Sequence, residues 1–253
     1  MKIAQRVALL FSSLLFLFSY GVSPIAAQAL SAEDILARVD ANQVYSTIYY
    51  EGKMEIVSGS RIKVKTMKAW AEGEEKSFIE FTNPEDRGTK MLKLKDSLWM
   101  YFPSERDTVK ISGAMLRQGI MGSDFSYQDA MSSEELSILY AASVTGSEIL
   151  EGRDCHVLEL QSSASGVHYP RRKLWVDKEH FTILRGELYA KSGTLLKVLR
   201  VLGSLSVQGR QFPSVVEYSD QLKKNSRTVL TMESIEINPS IDPGRFSLQA
   251  FSR

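Results

Sequence analysis

The sequence predicts a mainly β fold, a single curved antiparallel sheet with a small α-helical lid. Three observations carry that expectation. From residue 47 onward the hydrophobic period is two, through about a dozen strand-length stretches. Turn signals separate those stretches at the short spacing of an antiparallel meander. Only two segments, 32–42 and 113–139, read as amphipathic helix. So many sequential strands exceed what a twisted open sheet usually carries without curling, splitting or closing. The sheet must therefore wrap, and the helices must cover its concave face.

The chain opens with Lys2 and Arg6, an apolar run from Val7 to Phe18, Pro24, and then Ala27-Gln28-Ala29. This is the pattern of a secretory signal peptide cleaved after Ala29. The apolar run is well short of the roughly 20 residues a membrane-spanning helix needs. Residues 1–29 are thus expected to be a leader and 30–253 a single exported domain, with no transmembrane segment in the mature chain. No cysteine follows the apolar run, so lipid attachment at a new N-terminus is not expected.

Ser31-Ala-Glu-Asp34 reads as a capping box, with Ile35, Leu36 and Val39 on one face of a helix ending near Asn42. Strands are expected at 47–57, 61–71, 75–82, 89–95, 97–102 and 107–111, broken by Ser58-Gly59-Ser60, Asn83-Pro84 and Pro103-Ser104. Residues 113–139 form a methionine-bearing insertion of two or three short helices, with Ser132-Ser-Glu-Glu135 as a second capping box. Strands resume at 144–151, 154–162, 171–177, 181–190, 194–206, 211–220 and 227–237. The tail to Arg253 carries Phe246 and Phe251 as docking residues.

Composition excludes several functions. Of 253 residues, 43% are hydrophobic and 24% charged, an ordinary globular balance. Thirty-one basic residues face 30 acidic ones, and loss of Lys2 and Arg6 with the leader leaves 29 against 30. That offers no electrostatic grip on nucleic acid. One cysteine, Cys155, makes neither an internal disulfide nor a Cys-rich zinc site, and strand alternation accounts for it as a small buried residue. The three histidines lie 12 apart in sequence, without metal-ligand companions, so neither metal nor cofactor is expected.

Leu92 and Leu94 alternate with Lys93 and Lys95, and Leu158 and Leu160 with Glu159 and Gln161, which predicts one dry and one wet face. Trp70, Phe81, Trp99, Tyr101 and Trp175 add bulk. These residues either fill the wrapped sheet as its core or, with Met115, Leu116, Ile120 and Met121 of the lid, line an apolar cavity for an acyl chain. Gly119 and Gly122 are candidate lid hinges. Arg171 and Lys173 share a strand face, either as a solvated edge that blocks strand pairing or as a docking spot for an acidic partner or lipid headgroups.

Particular runs resemble a known family. Pro84-Glu-Asp-Arg-Gly-Thr-Lys-Met-Leu-Lys-Leu, Ser97-Leu-Trp-Met-Tyr-Phe-Pro103, Ile111-Ser-Gly-Ala-Met115 and Met121-Gly-Ser-Asp-Phe-Ser126 look like the outer-membrane lipoprotein-sorting proteins, the larger relatives of LolA. Arg172-Lys-Leu-Trp-Val-Asp-Lys178 and Ser192-Gly-Thr-Leu-Leu-Lys197 fit the same pattern. The resemblance implies an unclosed half-barrel covered by helices around an apolar cavity. It also implies a periplasmic role in binding or carrying lipoproteins or lipids, with inner- and outer-membrane proteins as partners. An envelope sensor that reads lipoproteins and passes the signal to a protein partner is the alternative.

Ser123 and Asp124 are the candidates for a third class, a secreted hydrolase. A serine nucleophile needs a positioned base, and no histidine lies in a recognisable nucleophile context. Cap and turn chemistry accounts for Gly122, Ser123 and Asp124, so no catalytic activity is expected.

Overall fold

Each strand follows the one before it across the sheet, except at a single joint. In the computed structural model, which describes residues 30–251 apart from positions 133, 134, 163 and 165, the strands are β1 (Thr47–Ser58), β2 (Arg61–Glu72), β3 (Lys76–Phe81), β4 (Lys90–Leu94), β5 (Ser97–Phe102) and β6 (Asp107–Ile111), then β7 (Ala141–Leu150), β8 (Arg153–Gln161), β9 (Arg171–Asp177), β10 (Ile183–Tyr189), β11 (Leu195–Val207), β12 (Arg210–Asp220) and β13 (Ser226–Ile237). The expected leader lies outside the described residues. All pairings are antiparallel, in the order β6-β5-β4-β3-β2-β1-β13-β12-β11-β10-β9-β8-β7. Two meanders therefore meet at the β1–β13 pair, and β6 and β7 form the two edges. The sheet is not closed into a barrel.

That order decides where the lid goes. The segment between β6 and β7 starts at one edge and ends at the other, so it must cross a whole face. It contains 3-10 turns at Gly113–Arg117 and Ile120–Gly122 and two short helices, α2 (Tyr127–Met131) and α3 (Leu136–Leu139). The face it crosses is the inner face. Register pairs put Ile79, Met91 and Met100 side by side there, while Phe78, Leu92 and Trp99 share the opposite, outer face.

Four buried clusters follow. Under the lid, Met54, Met67, Phe81, Met91, Leu98 and Met100 pack with Ile120 and Tyr127. On the other half of the inner face, α1 (Ala32–Gln43) lays Ile35, Leu36 and Val39 on Leu158, Leu160, Leu174 and Val176. Each such side chain is worth about 1.5–3 kcal/mol. The Ser31 hydroxyl accepts a bond from the Asp34 amide at 3.0 Å, as the capping pattern predicts. On the outer face the C-terminal segment, a turn at Pro243–Phe246 followed by α4 (Leu248–Phe251), drops Phe246 and Phe251 onto Phe78 and Leu92. Cys155, Val157, Trp175 and Leu184 form the fourth cluster, and burial pushes the Cys155 thiol up.

Two sequence expectations change. Lys93 does not face solvent: it is buried under the lid, and its Nζ donates to the carbonyls of Glu74 (2.9 Å) and Met131 (3.2 Å). Alternation failed there because β4 is covered on both faces, by the lid and by the C-terminal segment. Arg171 and Lys173 are not at an edge either, since β9 lies inside the sheet, with two strands between it and its nearer margin. Their cations stack on Tyr189 and Trp175, at 4.4 and 4.7 Å from the ring centres.

A candidate site at the seam between lid and first helix

The lid is held by polar contacts at three places. In α2, Ser126 and Asp129 form a reciprocal capping box, each side chain bonding the other residue's backbone amide. The same Asp129 carboxylate receives the Lys197 ammonium from β11 and the Tyr169 hydroxyl at 2.8 Å. Burial opposes ionisation of Asp129, but Lys197 and Ser126 outweigh it and hold the carboxyl below its ordinary range. Burial, reinforced by Asp129, pushes the Tyr169 phenol far up.

Ser123 and Asp124 form the second fastening. The Asp124 carboxylate accepts from Ser226 Oγ at 2.8 Å and Lys223 Nζ at 3.1 Å, and its amide donates to Thr228 Oγ1 at 2.8 Å. Ser123 is fully buried, and its hydroxyl donates to the Phe125 carbonyl at 2.9 Å. These two residues tie the lid to the end of the β12–β13 hairpin.

At the third place the helices hold one another. Asp40 of α1 accepts from the amides of Leu136 (3.0 Å) and Ser137 (2.9 Å), capping α3 from outside. Glu135, the N-terminal cap residue of α3, makes no side-chain cap bond, so the cap comes from α1 and not from the local capping box the sequence suggested. Positions 133 and 134 of that expected box lie outside the described residues.

Between the lid and α1 runs an open cleft of about 750 Å3. Leu98, Ile111, Leu116 and Met131 reach it from the lid cluster, and Leu136 and Ile183 from the α1 cluster. Asp40, Glu74, Asp96, Lys110 and Arg172 also line it, so its wall mixes charged and apolar side chains. The Arg172 guanidinium lies over the Tyr140 ring at 4.7 Å. His168, also on the wall, has its pKa lowered chiefly by burial. Deeper on the inner face, Phe125 of the lid rests on Tyr218, ring centres 5.0 Å apart. Burial of the phenol groups pushes Tyr50 up to about 12 and Tyr218 higher, although each residue as a whole is half-buried.

The structure divides the residues that sequence reasoning grouped as one lining. Phe81, Met115, Leu116, Ile120 and Met121 come together under the lid, and Leu158 and Leu160 lie under α1. Trp70, Leu92, Leu94, Trp99 and Tyr101 instead pack on the outer face beneath the C-terminal segment. Trp175 is on the outer face of the other half, its Nε1 donating to Glu148 at 2.8 Å. Strand parity alone leaves open which face turns inward. Of the grouped residues only Leu116 lines the cleft itself. Gly119 and Gly122 lie in a closed loop, with Ile120 N donating to Phe125 O at 2.8 Å and Gly122 N to Gly119 O at 3.0 Å. A Cβ on Gly119 would sit 1.8 Å from the Ser123 carbonyl oxygen, so that loop admits no side chain there. Leu136, Val167 and Ile183 on the wall were missed, because neighbours in space here come from separate stretches of chain. Among the described residues no group of three or more His, Cys, Asp or Glu could hold a metal ion.

A family model described as an uncharacterized protein matches residues 73–253. The chain belongs to that family. No curated protein matches it. A DUF1329 family protein from Desulfovibrio piger shares 24% identity at a TM-score of 0.80, over 87% of this chain and 97% of that one. A putative outer membrane lipoprotein-sorting protein domain from Vibrio parahaemolyticus shares 21% at 0.78, over 88% of this chain and 98% of that one. A LolA superfamily protein from Nitrosomonas europaea shares 21% at 0.72, over 88% of this chain and all of that one. The sheet and lid of this chain thus have the LolA-like fold. Among the described residues no helix is long and apolar enough to cross a membrane.

Proposed function

We propose that the protein is a periplasmic carrier or binding protein for lipid-bearing cargo, whose acyl chains enter at the cleft and lie between the inner face and the lid. One observation supports this above the rest. The cleft opens where the lid cluster ends; Leu116 and Met131 on its wall are left only partly covered, as are Met115 and Met121 behind them in the same cluster. Thioether side chains repack readily around chains of different shape. An acyl chain of 16 carbons gains roughly 12 kcal/mol gross on transfer, at about 0.8 per methylene. That gross gain is set against lifting a lid held by its polar fastenings and by the packing of Ile120 and Tyr127.

The likeness to lipoprotein-sorting domains supports the same reading at the level of fold. In this reading the leader directs export, and the 119–126 loop moves with the lid as one piece, Gly119 and Gly122 keeping it tight. Gly113, at φ 55° where the lid leaves β6, is the joint.

Native mass spectrometry of protein recovered from the cell envelope is expected to show bound lipid, and a fluorescent fatty-acid probe is expected to enter the delipidated protein. Leu116→Trp, which fills the cleft, should cut probe uptake, whereas Ile149→Ser on the exposed β7 edge should not. Protein that is always empty and takes up no probe would end the proposal.

A further inference from the structure

Two hairpin tips lie side by side at the lid end of the sheet. Ser58 at the end of β1 pairs with Ser226 at the start of β13, and Gly59 N donates to Asn225 O at 2.9 Å. This joins the β1–β2 turn to the β12–β13 turn. Both tips expose large apolar side chains: Ile62 is 65% exposed, Val64 47% and Leu222 70%. Because the two tips are joined, these side chains form a group at one end of the sheet and are not scattered singly over the surface.

Within the two tips themselves every charged side chain is basic. Residues 57–65 and 221–228 contain Arg61, Lys63, Lys65, Lys223, Lys224 and Arg227 and no Asp or Glu. Nearby carboxylates are already committed: Glu85 and Asp86 to Lys65, Asp124 and Asp220 to Lys223, Glu217 to Arg227. Arg61, Lys63 and Lys224 are exposed and carry no ion pair among the described residues. The whole chain is nearly neutral, so this basic end is a local feature and not a consequence of composition.

We propose that the paired tips dock the protein on an anionic lipid surface. Arg61, Lys63 and Lys224 meet the phosphates while Ile62, Val64 and Leu222 enter the headgroup layer. Basic residues attract such a surface within a Debye length, and short apolar side chains among them add burial without spanning anything. A protein partner recognised by charge alone would not need three open aliphatic side chains beside the cations. The surface adjoins the lid directly, since Lys223 of the same turn bonds the Asp124 carboxylate and the Ser123 carbonyl. Docking does not depend on the carrier reading, because it concerns the outside of the molecule, with or without cargo.

The test is co-sedimentation of the protein recovered from the cell envelope with vesicles of phosphatidylglycerol and phosphatidylcholine, against phosphatidylcholine alone. Binding to the anionic vesicles only, weakened by added salt, is expected. Each neutralised charge should lower partitioning about five-fold, so the triple change Arg61→Gln, Lys63→Gln, Lys224→Gln should lower it about 100-fold. Ile62→Ser with Leu222→Ser should weaken binding with the charge intact. Ile149→Ser, at a position 74% exposed on the far edge, should leave it unchanged. No binding to anionic vesicles, equal binding by the triple variant, or an equal loss with Ile149→Ser would each overturn the proposal. All these positions are exposed, and an unchanged thermal midpoint separates lost docking from lost folding.

Discussion

The Lys197 ammonium from β11 and the Asp129 carboxylate from α2 meet beneath the lid, both nearly excluded from solvent. Removing one partner of such a pair leaves the other charge buried and alone, which costs about 3–5 kcal/mol. Asp129→Ala is therefore expected to lower the urea midpoint strongly. Asp129→Leu combined with Lys197→Met should lower it much less. Equal losses in the single and double variants would show that the pair is not the fastening.

The same pair sets an acid limit. The folded pKa of Asp129 is depressed, so its contribution is present above the ordinary aspartate value of about 3.9 and is lost as pH falls through the folded value. Asp129→Asn lacks that contribution at every pH. The stability gap between parent and variant should be widest near neutrality and close below about pH 4. Equilibrium unfolding across that range measures it, and a gap independent of pH would refute the assignment.

Asp124→Ala weakens the lid's tie to the β12–β13 hairpin, leaving Ser226 and Thr228 without their carboxylate while the backbone bonds to Thr228 and Lys223 remain. A loss of about 1–3 kcal/mol is expected. Hydrogen exchange should quicken in residues 113–131 before it does in β8–β10, because the lid alone loses its anchor.

Gly119→Ala places a methyl against the Ser123 carbonyl, so the 119–126 loop must open. Exchange of the Ile120 amide, now bonded to Phe125 O, should accelerate, with little change in α1. Retained protection at Ile120 would mean that the loop absorbs the methyl elsewhere.

Phe251 is fully buried between the rings of Phe78 and Tyr101, at 6.2 and 6.1 Å. Phe251→Ala should cost about 3–5 kcal/mol, read as a lowered thermal midpoint. The inner-face probe uptake proposed above should survive in the fraction still folded, since this cluster lies on the outer face.

Much of the fold was legible because β-sheet periodicity is a local property. Each of the thirteen strands overlaps its expected stretch, and β5, β6 and β9 agree at both ends. Ser31 as helix cap and Phe246 and Phe251 as docking residues were equally local signals. The candidate site was legible only in part. Met115, Leu116, Ile120 and Met121 come together with Phe81 because they share one short insertion packed on one cluster. Trp70, Trp99 and Trp175 were grouped with them on bulk alone, and bulk does not say which face of a strand turns inward.

The amino-acid pattern by itself determined the strands, the short helices and the absence of a nucleic-acid-binding charge, because period, turn chemistry and composition act over a few residues. Only the tertiary structure decided that β6 and β7 stand at opposite edges, which forces residues 112–140 across one face and makes them a lid. It also decided that Lys93 and Asp124 are buried fastenings, that the Asp129 carboxylate is nearly excluded from solvent, and that Arg61, Lys63, Ile62 and Leu222 lie on joined hairpin tips at one end. Those relations join residues up to about a hundred or more positions apart, as Asp124 and Ser226 are, and long-range pairing leaves no period in the chain to read.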